Sequence, residues 1–141
     1  MTRAGAPYWP IVIDMKKIFR KEERLCSRSL INKLFHNGSS FVVYPFRIIY
    51  LPIAEKLPAG AQVLISVPKR KVKRAVMRNK IKRKIREVYR LQKGEILLPE
   101  IQLQSINVVL AIQYLADKDM PFDQYLLKMN KGLNQIVHEV C

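Results

Sequence analysis

Eleven carboxylates, two histidines and two cysteines are the side chains in this 141-residue sequence that could act as acids, bases, nucleophiles or metal ligands. Metal-assisted cleavage of a phosphodiester needs clustered carboxylates, or a general base beside a charge stabiliser. The acids are scattered, and the only close set is Asp117, Asp119 and Asp123. Their place, before and within the first turn of a helix expected to start near Pro121, is explained by favourable charge at a helix N-terminus. That structural explanation outweighs metal catalysis. His36, followed by Asn37 and Gly38, reads as a helix end, and His138 as a position on the last helix. Cys26 has no histidine near it in a recognisable motif, so packing accounts for it better than nucleophilic chemistry. A glycine-rich phosphate loop is absent too. From its reactive side chains, the sequence binds but does not cut.

What it binds is indicated by residues 69–90, KRKVKRAVMRNKIKRKIREVYR, with twelve basic residues and one acid, Glu87. This stretch holds +11 of the chain's formal +15. Such charge usually means disorder, yet Met77, Ile81, Ile85 and Val88 recur at helical spacing. On a helix Asn79, Arg83, Arg86 and Arg90 fall opposite that apolar stripe, with Arg78 and Lys84 flanking it. Like charges four residues apart, as in Arg78, Lys82, Arg86 and Arg90, repel by a few tenths of a kcal/mol per pair. A face of this kind serves a polyanionic partner rather than the helix itself.

The elements that must position this face can be read along the chain. The length suits one domain with its own core. The pI near 10.1 points to nucleic acid and less to an anionic membrane surface. Two cysteines far apart suggest a reducing, cytoplasmic setting, and no apolar run reaches the length of a membrane span. Residues 1–22 read as a flexible basic tail; translation from Met15 would leave Lys16 onward as a basic arm. Residues 23–141 read as a single RNA-binding domain. Residues 24–38 suggest a helix, capped by Ser27 or Ser29, with Leu30, Ile31, Leu34 and Phe35 as its stripe and Gly38 closing it. Residues 40–44 and 46–51 suggest strands parted by Pro45, and 62–67 a third. One face of the second would present Phe46, Ile48 and Tyr50, the other Arg47, Ile49 and Leu51. Residues 92–105, with Pro99, read as a polar connector, and 106–116 as a strand buried on both faces. A last helix carries Phe122, Leu126, Met129, Leu133, Ile136 and Val140. The expected class is α+β, a two-layer sandwich of a roughly four-stranded sheet with three helices in the order α-β-β-β-α-β-α. The helices would cover one face and leave the other free.

Residues 65–90 closely resemble the signature of the bacterial ribonuclease P protein component, in which a strand ending S-V-x-K-[KR] leads through a loop to a helix A-V-x-R-N-[RK]-[IL]-K-R-x-[IL]-R-E. The matching residues are Ser66, Val67, Lys69 and Arg70, then Ala75, Val76, Arg78, Asn79, Lys80, Ile81, Lys82, Arg83, Ile85, Arg86 and Glu87. A looser likeness runs over about residues 16–140, taking in the stretch from Phe19 to Leu25 and the helix end at Phe35 and Gly38.

The resemblance implies a small basic subunit of a ribonucleoprotein that removes the 5′ leader of precursor tRNA, with water attacking the phosphodiester at Mg2+ ions held by the RNA. It implies two partners, the ribonuclease P RNA subunit and precursor tRNA, with no membrane and no small-molecule substrate. Arg78, Asn79, Lys80, Lys82, Arg83 and Arg86, with the loop Lys69, Arg70 and Lys71, would contact the RNA subunit. Phe35 and Tyr50 would line a leader groove between the first helix and the sheet, with Lys69 and Arg70 at its mouth. Ile31 stands where many members carry phenylalanine, and Lys80 replaces a more usual arginine, keeping the charge without the bidentate fork. A left-handed crossover through the basic helix is implied as well, against the usual preference. The competing readings are a ribosomal or other general RNA-binding protein, and an autonomous nuclease using Asp117, Asp119 and Asp123.

Overall fold

A computed structural model describes residues 21–58 and 60–141. The expected tail lies outside them, apart from Lys21 and Glu22, which join Glu23 in a single 3-10 turn. The Met15 start also lies outside the described residues.

Four strands form one sheet: β1 (Ser39–Val43), β2 (Phe46–Ile53), β3 (Ala61–Ser66) and β4 (Asn107–Tyr114), in the spatial order β1-β2-β4-β3. The hairpin β1–β2 turns at a cis Tyr44–Pro45 peptide. β2 pairs antiparallel with β4, and β3 runs parallel to β4. That parallel pair is joined by α2 (Ala75–Ile96) and α3 (Leu98–Leu103), while α1 (Arg28–Asn37) precedes the sheet and α4 (Phe122–Val140) follows it.

The α+β class and the four strands agree with the sequence reading, and two details differ. Among the described residues there are four helices rather than three, because the segment read as a polar connector continues α2 to Ile96 and then forms α3. Pro99 sits in the first turn of α3, where its missing N–H costs nothing. Leu97, Leu98 and Ile101 bury the inner side of this segment.

The second difference concerns layering. On one face Phe46, Ile48, Tyr50, Leu110 and Ile112 meet Ile81, Ile85 and Val88 of α2 and Tyr125, Met129, Leu133 and Ile136 of α4. Helix α1 does not join them. It lies on the opposite face, where Leu34 is fully buried with Ile49, Val109 and Ala111. Val108 to Ile112 are buried on both sides, as expected for the apolar run, and each valine, leucine or isoleucine among them contributes roughly 1.5–3 kcal/mol by leaving water.

Local signals fix where α1 starts and ends. Ser27 Oγ accepts from Leu30 N at 3.3 Å, so of the two serines the sequence offers as caps it is Ser27 that serves. Gly38 ends the helix in an extended conformation, φ −73°, so a left-handed turn does not explain it. Close approach does: a Cβ there would press on the Leu34 carbonyl and lie 3.0 Å from the Tyr50 carbonyl oxygen. Ahead of α1, Leu25 N donates to Val63 O at 3.0 Å, so residues 24–25 cover part of the β3 edge.

Candidate nucleic-acid interface

Helix α2 is held by its apolar stripe, with Ile81, Ile85 and Val88 fully buried, so its cations other than the buried Lys93 stand at the rim and on the outer side. Five of them, with Asn79, fall into three groups with different surroundings. Asn79 and Arg83 are exposed on the outer side. Lys82 and Arg86 are half-buried and line a cavity of about 270 Å³ with Arg24, Cys26, Leu64 and Ile65 at the β3 edge. Lys80 and Lys84 lean the other way, towards Asp119 before α4, at 3.6 and 2.8 Å.

Asp119 is the centre of the acidic set considered for metal chemistry. Its Oδ1 accepts from the Tyr125 hydroxyl at 2.6 Å and from Met120 N at 2.9 Å, while Oδ2 takes the Lys84 ammonium. Burial alone would raise its pKa, but the Lys84 and Tyr125 hydrogen bonds outweigh that and hold the carboxyl below its usual range. Among the described residues, no group of three or more His, Cys, Asp or Glu side chains is placed to hold a metal ion. The carboxylate instead ties α2 to the loop before α4.

Arg78 has a role that its place in a run of cations hides. Its Nη1 donates to Val72 O at 2.9 Å and to Lys73 O at 2.7 Å. Together with Lys71 N and Val72 N donating to Pro68 O, these bonds shape the loop carrying Lys69, Arg70 and Lys71, which are all exposed. Arg78 thus fixes the basic loop while its remaining donors stay available for phosphate. Arg78→Ala is expected to speed amide exchange at Lys71 and Val72 and to lower stability by about 1–3 kcal/mol, the scale of charged hydrogen bonds. Hydrogen-exchange measurements on the free protein check this, and unchanged protection of both amides refutes it.

A family model described as Ribonuclease P matches residues 19–137. The chain belongs to the ribonuclease P protein family. The ribonuclease P protein component of Porphyromonas gingivalis is 38% identical over 120 residues, covering 85% of this chain and 87% of that one. The component from Chlorobium phaeobacteroides is 29% identical over 131 residues, 86% of each chain. Two solved structures share the fold: ribonuclease P protein from Staphylococcus aureus, with TM-score 0.61, 24% identity and coverage of 81% and 94%, and from Thermotoga maritima, with TM-score 0.63, 22% identity and coverage of 80% and 96%. Membership makes this chain a subunit of the tRNA-processing endoribonuclease ribonuclease P, and the general RNA-binding alternative finds no support.

For a ribonuclease P protein, the expected leader groove needs one correction. Phe35 is 44% exposed on α1, and Ile31 is half-buried one turn before it. Tyr50, only 7% exposed, points to the other side of the sheet. There its hydroxyl donates to Glu139 of α4 at 2.7 Å, and its ring lies 6.0 Å from Phe41. Burial and the Glu139 contact both push its pKa above the ordinary tyrosine value. The structure therefore does not bring Tyr50 together with Phe35 and Ile31, because neighbouring strand residues face opposite ways and one step along β2 changes sides.

The face that α1 does occupy includes the cross-strand row Val42, Arg47, Gln113 and Ser66, at the end of the sheet nearest the basic loop. Arg47 and Val42 are exposed there. Strand alternation already placed Arg47 opposite to Tyr50; which side carried α1 was the missing fact.

Proposed function

We propose that this ribonuclease P protein binds the catalytic RNA subunit through the outer face of α2 and the loop Lys69, Arg70 and Lys71. The 5′ leader of precursor tRNA lies along the sheet beside α1, where Phe35, Ile31 and Arg47 replace the expected Phe35–Tyr50 pair. The observation that carries this reading is the sorting of α2. Its apolar stripe is buried, and Asn79 and Arg83 project outward beside a basic loop held in shape by Arg78. Leader sequences vary, so charge and stacking suit them better than base-edge readout. Hydrolysis is assigned to water at Mg2+ held by RNA and substrate, with this chain supplying position and charge. Asp119 is already committed to Lys84, Tyr125 and Met120. No helix among the described residues is long and apolar enough to cross a membrane, and Cys26 and Cys141 are unpaired; we assign the protein to the cytoplasm.

Reconstitution tests the reading. With ribonuclease P RNA and magnesium at near-physiological ionic strength, precursor tRNA should be cut at the mature 5′ end only when the protein is added. Cleavage by purified protein alone, reduced by Asp119→Asn, would instead establish the autonomous nuclease. The leader-dependent part of affinity should fall by roughly 0.7 log units per log salt for each phosphate neutralised on a single strand. A flat response would remove the electrostatic basis of the proposal.

A further inference from the structure

The far flank of α2, away from α1 and across the sheet from the leader face, contains an aromatic ring that the reading above does not use. Phe122, the first residue of α4, is 37% exposed. With Lys80, Arg83, Lys84 and Glu87 it lines an open cavity of about 340 Å³. The nearby acids are already occupied. Arg90 pairs with Glu87 through two nitrogens, which holds the Glu87 carboxyl below its usual range, and Asp119 takes Lys84 and, at longer reach, Lys80. Arg83 makes no hydrogen bond or ion pair among the described residues. A partly exposed aromatic ring lining the same cavity as an unpartnered guanidinium supplies the two elements that hold an unpaired nucleotide: a stacking platform for the base and a fork for its phosphate.

We infer that Phe122 and Arg83 form a binding site for a single unpaired nucleotide of the ribonuclease P RNA subunit. The inference rests on the proposed RNA-subunit role of α2 and extends it onto α4. RNA is the occupant because the rim is cationic and the apolar area is one ring, too small for a protein interface core. The RNA subunit is the source because the cavity opens on the α2–α4 side, whereas the leader is assigned to the α1 side.

The test measures binding of the full chain to ribonuclease P RNA alone, with Phe122→Leu and Phe122→Trp compared at equal salt. Stacking predicts roughly tenfold weaker binding for leucine and near-native binding for tryptophan. Thermal denaturation of both variants accompanies the binding, since a packing role would alter stability and leave the aromatic preference absent. Equal affinity of Phe122→Leu and the native chain overturns the inference, provided the native chain prefers this RNA over an unrelated one. If the native chain shows no such preference, it is the RNA-subunit reading that fails. In the assembled enzyme, the affinity ratio for precursor tRNA with and without its leader should be the same for Phe122→Leu. A changed ratio with unchanged RNA-subunit binding would assign the ring to the leader and overturn the inference.

Discussion

Replacing Glu23 with alanine should destabilise the free protein by about 3–5 kcal/mol, because it takes a carboxylate away from a buried ammonium. Glu23 Oε1 pairs with Lys93 Nζ, and the two side chains are 4% and 1% exposed. Lys93 lies in the C-terminal half of α2, and Glu23 in the turn just before the segment that bridges to β3. The pair therefore fastens the chain entering α1 to the helix on the other side of the sheet. For a chain of this size the loss corresponds to a fall in Tm of about 10–20 °C. Removing both charges, as in Glu23→Ala with Lys93→Met, should recover much of the stability, since a well-packed apolar replacement avoids the cost of burying charge. Circular dichroism melts of the native chain and the two variants measure the effect. A loss below about 1 kcal/mol for Glu23→Ala would show that the ammonium finds other solvation, and that this pair does not set the position of α1.

The second large effect is on RNA. Changing Lys82, Arg83 and Arg86 together to alanine should weaken binding to ribonuclease P RNA by about 10²–10³-fold near 0.1 M salt and reduce the log–log salt slope by roughly 2–3, if each cation neutralises one phosphate. The free protein should keep its Tm or gain slightly, because cations one turn apart on α2 repel. Arg78 is left intact since it holds the Val72 and Lys73 carbonyls, and its removal would confound loss of binding with loss of loop shape. Lys80 and Lys84 are left because Asp119 partners them. Filter binding over a salt series, with thermal melts alongside, tests both halves. An unchanged slope would mean the cations do not meet phosphates, and an unfolded triple variant would mean that this side of α2 supports the core.

Much of this arrangement is legible in the sequence. The steps from Met77 to Ile81, Ile85 and Val88 oriented α2, and the apolar run through Val108 to Ile112 identified a strand covered on both sides. The signature around Arg78 and Asn79 pointed to the family that the comparisons show. Other features were hidden for definite reasons. Helix α3 was obscured because Gln92, Gln102 and Gln104 and the single Pro99 dominate a segment whose apolar residues cluster at Leu97, Leu98 and Ile101. Alternation separates Tyr50 from Arg47, but a strand pattern does not say which face a distant helix occupies, and α1 lies on the face opposite Tyr50. The bonds from Arg78 to backbone carbonyls leave no trace in spacing, since a guanidinium that shapes a loop and one that grips phosphate are the same letter in the same run.

The position of β4 in the sheet has a consequence for how the protein is made. It is the last of the four described strands to be synthesised, yet it lies between β2 and β3 and pairs with both. Until residue 114 has left the ribosome, the β1–β2 hairpin and β3 have no common partner, and each presents an unsatisfied edge. Contacts such as Phe46 with Tyr114 close only across a long span of chain, the kind of topology that slows folding. The nascent chain thus passes through a stage in which apolar strand edges and a strongly cationic helix are exposed together, before the sheet that joins them exists.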